Sequence, residues 1–95
     1  MTLNDSTLVH HEFNDDTALM RRKQVELQSG YSRSTIYLRI SQGMFPAPIQ
    51  LGARAVAWPQ REVRAINAAR IAGKSDGEIR ALVAQLVAAR KVAHV

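Results

Sequence analysis

Arg33, Ser34, Thr35, Tyr37 and Arg39 fall within one seven-residue stretch, interleaved with Ile36 and Leu38 and followed by Ile40. These side chains suit recognition more than bond making. A guanidinium forks onto a guanine edge, hydroxyls reach phosphates or base edges, and a tyrosine offers both a hydroxyl and a ring for a thymine methyl. The residues of bond-making chemistry are missing. The chain has no cysteine, which excludes a disulfide scaffold, a thiolate zinc site and a cysteine nucleophile together. It also lacks a glycine-rich phosphate loop, a nucleophile elbow and a carboxylate pair set up as acid and base. Its serines have no His/Asp partner in the patterned part of the chain. His10 and His11 are adjacent in a polar stretch and His94 is next to last, so the histidines make a poor metal set. The expectation is a protein that is not an enzyme and uses no cofactor, metal or small-molecule substrate.

Charge points the same way. Thirteen Lys/Arg against eight Asp/Glu give +5 over 95 residues. Asp5, Glu12, Asp15 and Asp16 all lie in the first sixteen residues, which contain no Lys or Arg. Residues 17–95 therefore hold thirteen basic against four acidic side chains, a net of +9. A small domain with that excess attracts polyanions, nucleic acid before an acidic membrane. No apolar run approaches the roughly 18 residues of a membrane span, and the start lacks a basic flank with an apolar core. The expected compartment is the cytoplasm.

The elements that must position the polar cluster are short and sharply punctuated. Residues 1–16 show no sustained period and read as a disordered or loosely held arm. Ala18-Leu19-Met20 is an apolar step, either a strand or an N-terminal staple. A first helix runs from about Arg22 to Ser29 and stops at Gly30. Ser32 is an N-cap for a second helix reaching Gln42, with Ile36 and Ile40 on one face and Gly43 as its stop. Two helices joined by about three residues with a glycine are a helix-turn-helix. The inward isoleucines leave Arg33, Ser34, Tyr37, Leu38 and Ser41 facing out. Ser34 and Thr35 also sit near the helix N-terminus, where backbone amides meet phosphates. Arg21, Arg22 and Lys23, opening the first helix, are placed to grip a nucleic-acid backbone.

Phe45-Pro46-Ala47-Pro48 must be extended. Ile49–Leu51 and Ala55–Trp58 then read as two strands around Gly52-Ala53-Arg54, a hairpin with Arg54 near its tip. Trp58 is expected in the core. Pro59 suits the first position of a third helix ending near Ala72, with Gly73 as the stop. Ser75-Asp76-Gly77-Glu78 is a capping box opening a long helix to about Ala93. On it, Ile79, Leu82, Val83, Leu86 and Val87 form an apolar stripe that either packs back on its own domain or pairs with a second chain.

Gly30-Tyr31-Ser32-Arg33-Ser34-Thr35-Ile36-Tyr37, Gly43-Met44-Phe45-Pro46-Ala47-Pro48, Leu51-Gly52-Ala53-Arg54-Ala55-Val56-Ala57-Trp58 and Glu62-Val63 occur in that order. Together they resemble the AlpA family of prophage-encoded transcriptional regulators, related in fold to MerR-type winged heads and phage excisionases. The resemblance spans roughly residues 19–71. It implies a sequence-specific DNA binder with Arg33, Ser34, Thr35 and Tyr37 on the recognition helix and Gly52-Ala53-Arg54 as the wing. The chain departs from the family pattern at Leu38, where Arg is frequent, at Gln28, where an apolar residue is common, and at Ile66 and Asn67.

The expected fold is thus mainly α: a winged helix-turn-helix with a small two-stranded β-hairpin wing and a long C-terminal helix. Its expected segments are an arm over 1–16, a DNA-binding domain over 17–73 and an amphipathic helix over 74–95. The expected partner is double-stranded DNA, bound as a homodimer or at repeated sites because one head reads few base pairs. Two other functions stay open: an excisionase-type protein that bends DNA, and a protein-interaction module such as an antitoxin or adaptor acting through the last helix.

Overall fold

The computed structural model of the chain describes residues 17–92. The arm over residues 1–16, with His10 and His11, lies outside the described residues, as do Ala93 and His94. In chain order the elements are β1 (Leu19–Arg21), α1 (Arg22–Ser29), α2 (Arg33–Ser41), β2 (Ile49–Gln50), β3 (Val56–Pro59), α3 (Gln60–Ile71) and α4 (Asp76–Val92).

The first turns of α2 and α4 have a visible chemical cause. The Ser32 hydroxyl accepts from the Thr35 amide at 3.2 Å and starts α2. The Ser75 amide donates to the Glu78 carboxylate at 2.9 Å while the Glu78 amide donates to the Ser75 hydroxyl at 3.2 Å, the reciprocal pair that opens α4. Gly30, at φ 78°, ends α1 and donates its amide to the Glu26 carbonyl at 2.9 Å. That left-handed conformation is natural for glycine and costly for residues with a Cβ, so Gly30 sets the bend between α1 and α2.

The expected hairpin is present and gains a third strand. β3 is the centre of an antiparallel sheet ordered β1-β3-β2, with Met20 opposite Trp58 and Ile49 opposite Ala57. The apolar step before α1 is therefore a strand, and Arg21 closes it in extended geometry ahead of the helix. Pro59 ends β3 and caps α3 one residue earlier than its expected place, and the Gln60 amide donates to the Ala18 carbonyl at 2.8 Å.

Trp58 anchors the core. It is fully buried, its indole N–H donates to the Pro46 carbonyl at 2.8 Å, and its ring meets Phe45 and Tyr37 edge-on. Val25 of α1, Ile36 of α2, and Val63 and Ile66 of α3 pack into the same cluster. α4 joins it: Ile79 and Val83 are buried, Leu82 and Leu86 are partly buried against it, and Val87 stays exposed. Within this chain the stripe folds back onto its own core.

A buried ion pair fastens that arrangement. Glu62 is wholly inaccessible, and Arg90 forks onto it with Nη2–Oε1 at 2.6 Å and Nε–Oε2 at 2.9 Å. The same Nη2 donates to the Ala47 carbonyl at 2.7 Å, so one side chain ties α4 to α3 and to the proline-rich segment. The fork satisfies both carboxylate oxygens, which such a burial requires.

Candidate nucleic-acid interface

α2 presents three sides. Ile36 turns fully inward. Arg33, Ser34, Leu38 and Ser41 are exposed, and Leu38 keeps half its surface open. Tyr37 lies on the sheet side, partly exposed and with its ring 6.5 Å from that of Trp58 in an edge-to-face pair. The hydroxyls near the helix start are already engaged. Ser32 and Ser34 lie 3.3 Å apart, and Ser32 donates to the Thr35 hydroxyl at 3.0 Å, which leaves Thr35 half-buried in the cap. The Ser41 hydroxyl donates to the Leu38 carbonyl at 2.6 Å.

The second grouping is basic. Arg21, Arg22, Lys23 and Arg54 line one cleft of about 350 Å³ between the start of α1 and the wing, with Val56 at its wall. Arg21 is steadied by Nε donating to the Val56 carbonyl at 3.2 Å. Arg22 is partly neutralised by Glu26 one turn on, at 2.6 Å. Lys23 and Arg54 form no ion pair among the described residues. Three consecutive cations, Arg21, Arg22 and Lys23, and the remote Arg54 thus line one concavity at a helix N-terminus, where the peptide dipole also favours an anion.

Arg39 stands apart from both groups. Its guanidinium carbon lies 5.8 Å from the Tyr31 ring centroid, and Nη1 donates to the Gln42 side chain at 3.0 Å. It lies along the edge of the core, stacked on the turn between the helices. Arg70 of α3 covers the same ring at 5.1 Å, and Arg80 of α4 donates Nε to the Gln42 carbonyl at 2.9 Å. Neither Arg70 nor Arg80 stands out in the sequence, because the groups they meet are 39 and 38 residues away, at Tyr31 and Gln42.

Residues 18–70 match the family described as "Prophage CP4-57 regulatory protein (AlpA)", a segment covering more than half the chain. The chain belongs to the AlpA family. One relative is the uncharacterized protein ORF88 of Enterobacteria phage P4, 47% identical over 58 residues. That alignment takes in 61% of this chain and 66% of the relative, so the chain spans just under two thirds of the relative's length. No solved structure matches the chain. The AlpA match contains β1 through most of α3, and thus the turn, α2 and the wing, and stops short of α4. No described helix is long and apolar enough to cross a membrane, and the described residues contain no metal-holding group of three or more His, Cys, Asp or Glu.

Proposed function

We propose that this AlpA-family protein is a sequence-specific double-stranded DNA-binding transcriptional regulator of a prophage or similar mobile element. The observation that carries the reading is the presence, in one small AlpA-type domain, of an exposed polar helix face and a cation-lined cleft. α2 enters the major groove, which at about 12 Å wide admits a single helix. Arg33, Ser34 and the rim of Tyr37 meet base edges there, and Leu38 offers an apolar contact to a thymine methyl. Thr35 serves mainly through the cap that aligns the first turn. Arg21, Arg22, Lys23 and Arg54 hold the sugar-phosphate backbone next to the groove, which fixes register and orientation without reading sequence. Arg39 contributes less directly, through the Tyr31 stack. A regulator of this kind works in the cytoplasm, and a second copy on an adjacent half-site supplies the base pairs a single head does not reach.

The test is selection from random-sequence duplexes by gel shift, with the selected site titrated at two salt concentrations. The expected result is an enriched motif whose affinity falls steeply with salt, its half-site spacing reporting the geometry of the bound copies. Salt-sensitive binding with no enriched sequence would instead favour an architectural, DNA-bending role. Absence of binding at low salt would overturn the reading.

A further inference from the structure

α4 lies outside the family match, yet the corner where α3 hands over to it stands against α2. Arg70 stacks on Tyr31, in the turn that precedes α2, and Arg80 bonds the Gln42 carbonyl that closes α2. The corner therefore touches both ends of that helix, through one side chain at each. It occupies the side away from the sheet. Tyr37 leans toward Trp58, whereas Arg39, two positions and roughly 200° of helical rotation later, leans toward Tyr31.

The corner is tight. Gly73 adopts φ 76° and the Lys74 amide donates to the Ala69 carbonyl at 3.0 Å, which keeps the connection short and leaves Arg70, Lys74 and Arg80 exposed on it. Asp76 and Glu78 share the corner. The Glu78 carboxylate is turned back onto the Ser75 amide, and its charge also acts on Lys74. The two guanidiniums have no carboxylate partner among the described residues. Arg80 spends only Nε on Gln42, which leaves both terminal nitrogens for an outside acceptor. Arg70 sits over the Tyr31 ring, and its nitrogens make no hydrogen bond among the described residues. Stacked or anchored guanidiniums with free edges are well suited to phosphate oxygens.

We infer that the α3–α4 corner is a second DNA-backbone clamp, in which Arg70 and Arg80, with Lys74 between them, bind phosphates on the flank of α2 opposite the wing. The inference rests on the DNA-binding reading above. With a cleft on one flank and the corner on the other, α2 is bracketed by cations, so the phosphates on both sides of the major groove are held.

The experiment is a salt titration of the full chain on the selected duplex, comparing the wild type with Arg70→Gln/Arg80→Gln, Ala72→Lys and Lys91→Gln. Each phosphate contact contributes about 0.9 to the slope of log K against log salt. The double variant is expected to lose about two contacts of slope and to bind about 10- to 100-fold more weakly near 0.1 M salt. Ala72→Lys adds a cation at an exposed corner position and is expected to steepen the slope by about one contact. Lys91 is fifteen residues along α4 from Asp76, about 22 Å away, so its removal is expected to leave the slope unchanged. Because Arg70 and Arg80 also brace α2, circular dichroism melts separate lost contacts from lost fold, and Ala72→Lys decides if the double variant unfolds. Wild-type slope in the folded double variant, or in Ala72→Lys, would overturn the clamp, as would an equal loss in Lys91→Gln. A wild type that binds no duplex would overturn the functional reading and the clamp with it, a result distinct from binding that ignores the corner.

Discussion

The seam between α3 and α4 and the outer side of α2 both use arginine, in opposite ways. Arg90 is four-fifths buried, and its fork is consumed by a carboxylate with no exposure and by the Ala47 carbonyl. Arg33, in the first turn of α2, is exposed and forms no ion pair among the described residues. The first guanidinium completes the fold; the second is left exposed and unpaired by the described residues. In a region with a net charge of +9, basic residues alone do not mark a binding surface. Among the described residues, the fold pairs the charge of some and leaves that of others unpaired.

The sharpest way to break this contrast is Arg90→Ala. It strands a buried carboxylate, and the expected loss is about 3–5 kcal/mol of folding free energy, read from the urea midpoint. Replacing Glu62 and Arg90 together by methionine should recover most of that loss. A single variant as stable as the wild type would place Arg90 among the dispensable surface charges and erase the distinction. Next in size is Arg33→Ala. Its stability should stay within about 0.5 kcal/mol of wild type, while specific DNA affinity falls by about 1–3 kcal/mol with relaxed base preference. An unaltered footprint at unaltered affinity would remove Arg33 from the reading surface.

A smaller effect sharpens the contrast by touching how α2 is set, with its charge left alone. Ser32→Ala removes the acceptor for the Thr35 amide and is expected to cost about 1 kcal/mol in chemical denaturation. An equal midpoint for variant and wild type would show that α2 is held by packing alone. The smallest effect is electrostatic. The Ser75 amide, the Ser75 hydroxyl and then Lys74 hold the Glu78 carboxyl below the ordinary glutamate range. A carboxyl lowered in the folded state contributes stability above its unfolded pKa and loses it as pH falls through the folded value. The stability gap between wild type and Glu78→Gln should thus be constant near neutrality and close in acid. A gap that widened on acidification would contradict the cap.

The helices were legible because their boundaries are written locally. Ser32, Gly30 and the Ser75–Glu78 pair act over three or four residues, so the chemistry that starts or stops each helix is visible without knowing the fold. Leu19–Arg21 is different. Three residues carry no readable period, and the strand exists because Met20 finds Trp58, 38 positions later. Arg39 shows the same limit at the site. In sequence it adjoins the outward-facing residues of α2, and only the placement of Tyr31 and Gln42 turns it along the core edge. The corner arginines were invisible for that reason too, since nothing beside Arg70 or Arg80 in the chain hints at Tyr31 or Gln42.

By itself, the sequence determined the helical character, the caps and stops, the turn between α1 and α2, the hairpin and the segregation of acidic from basic charge. These follow from backbone preferences and hydrogen bonds that close within a few residues. Tertiary structure alone decided which cations are paired and which are left over, how 21–23 meet 54 in one cleft, and that the last helix folds back through Glu62 and Arg90. Those outcomes depend on groups tens of residues apart being brought together, within 3 Å for Glu62 and Arg90, and burial then determines whether a charge must be neutralised inside the chain.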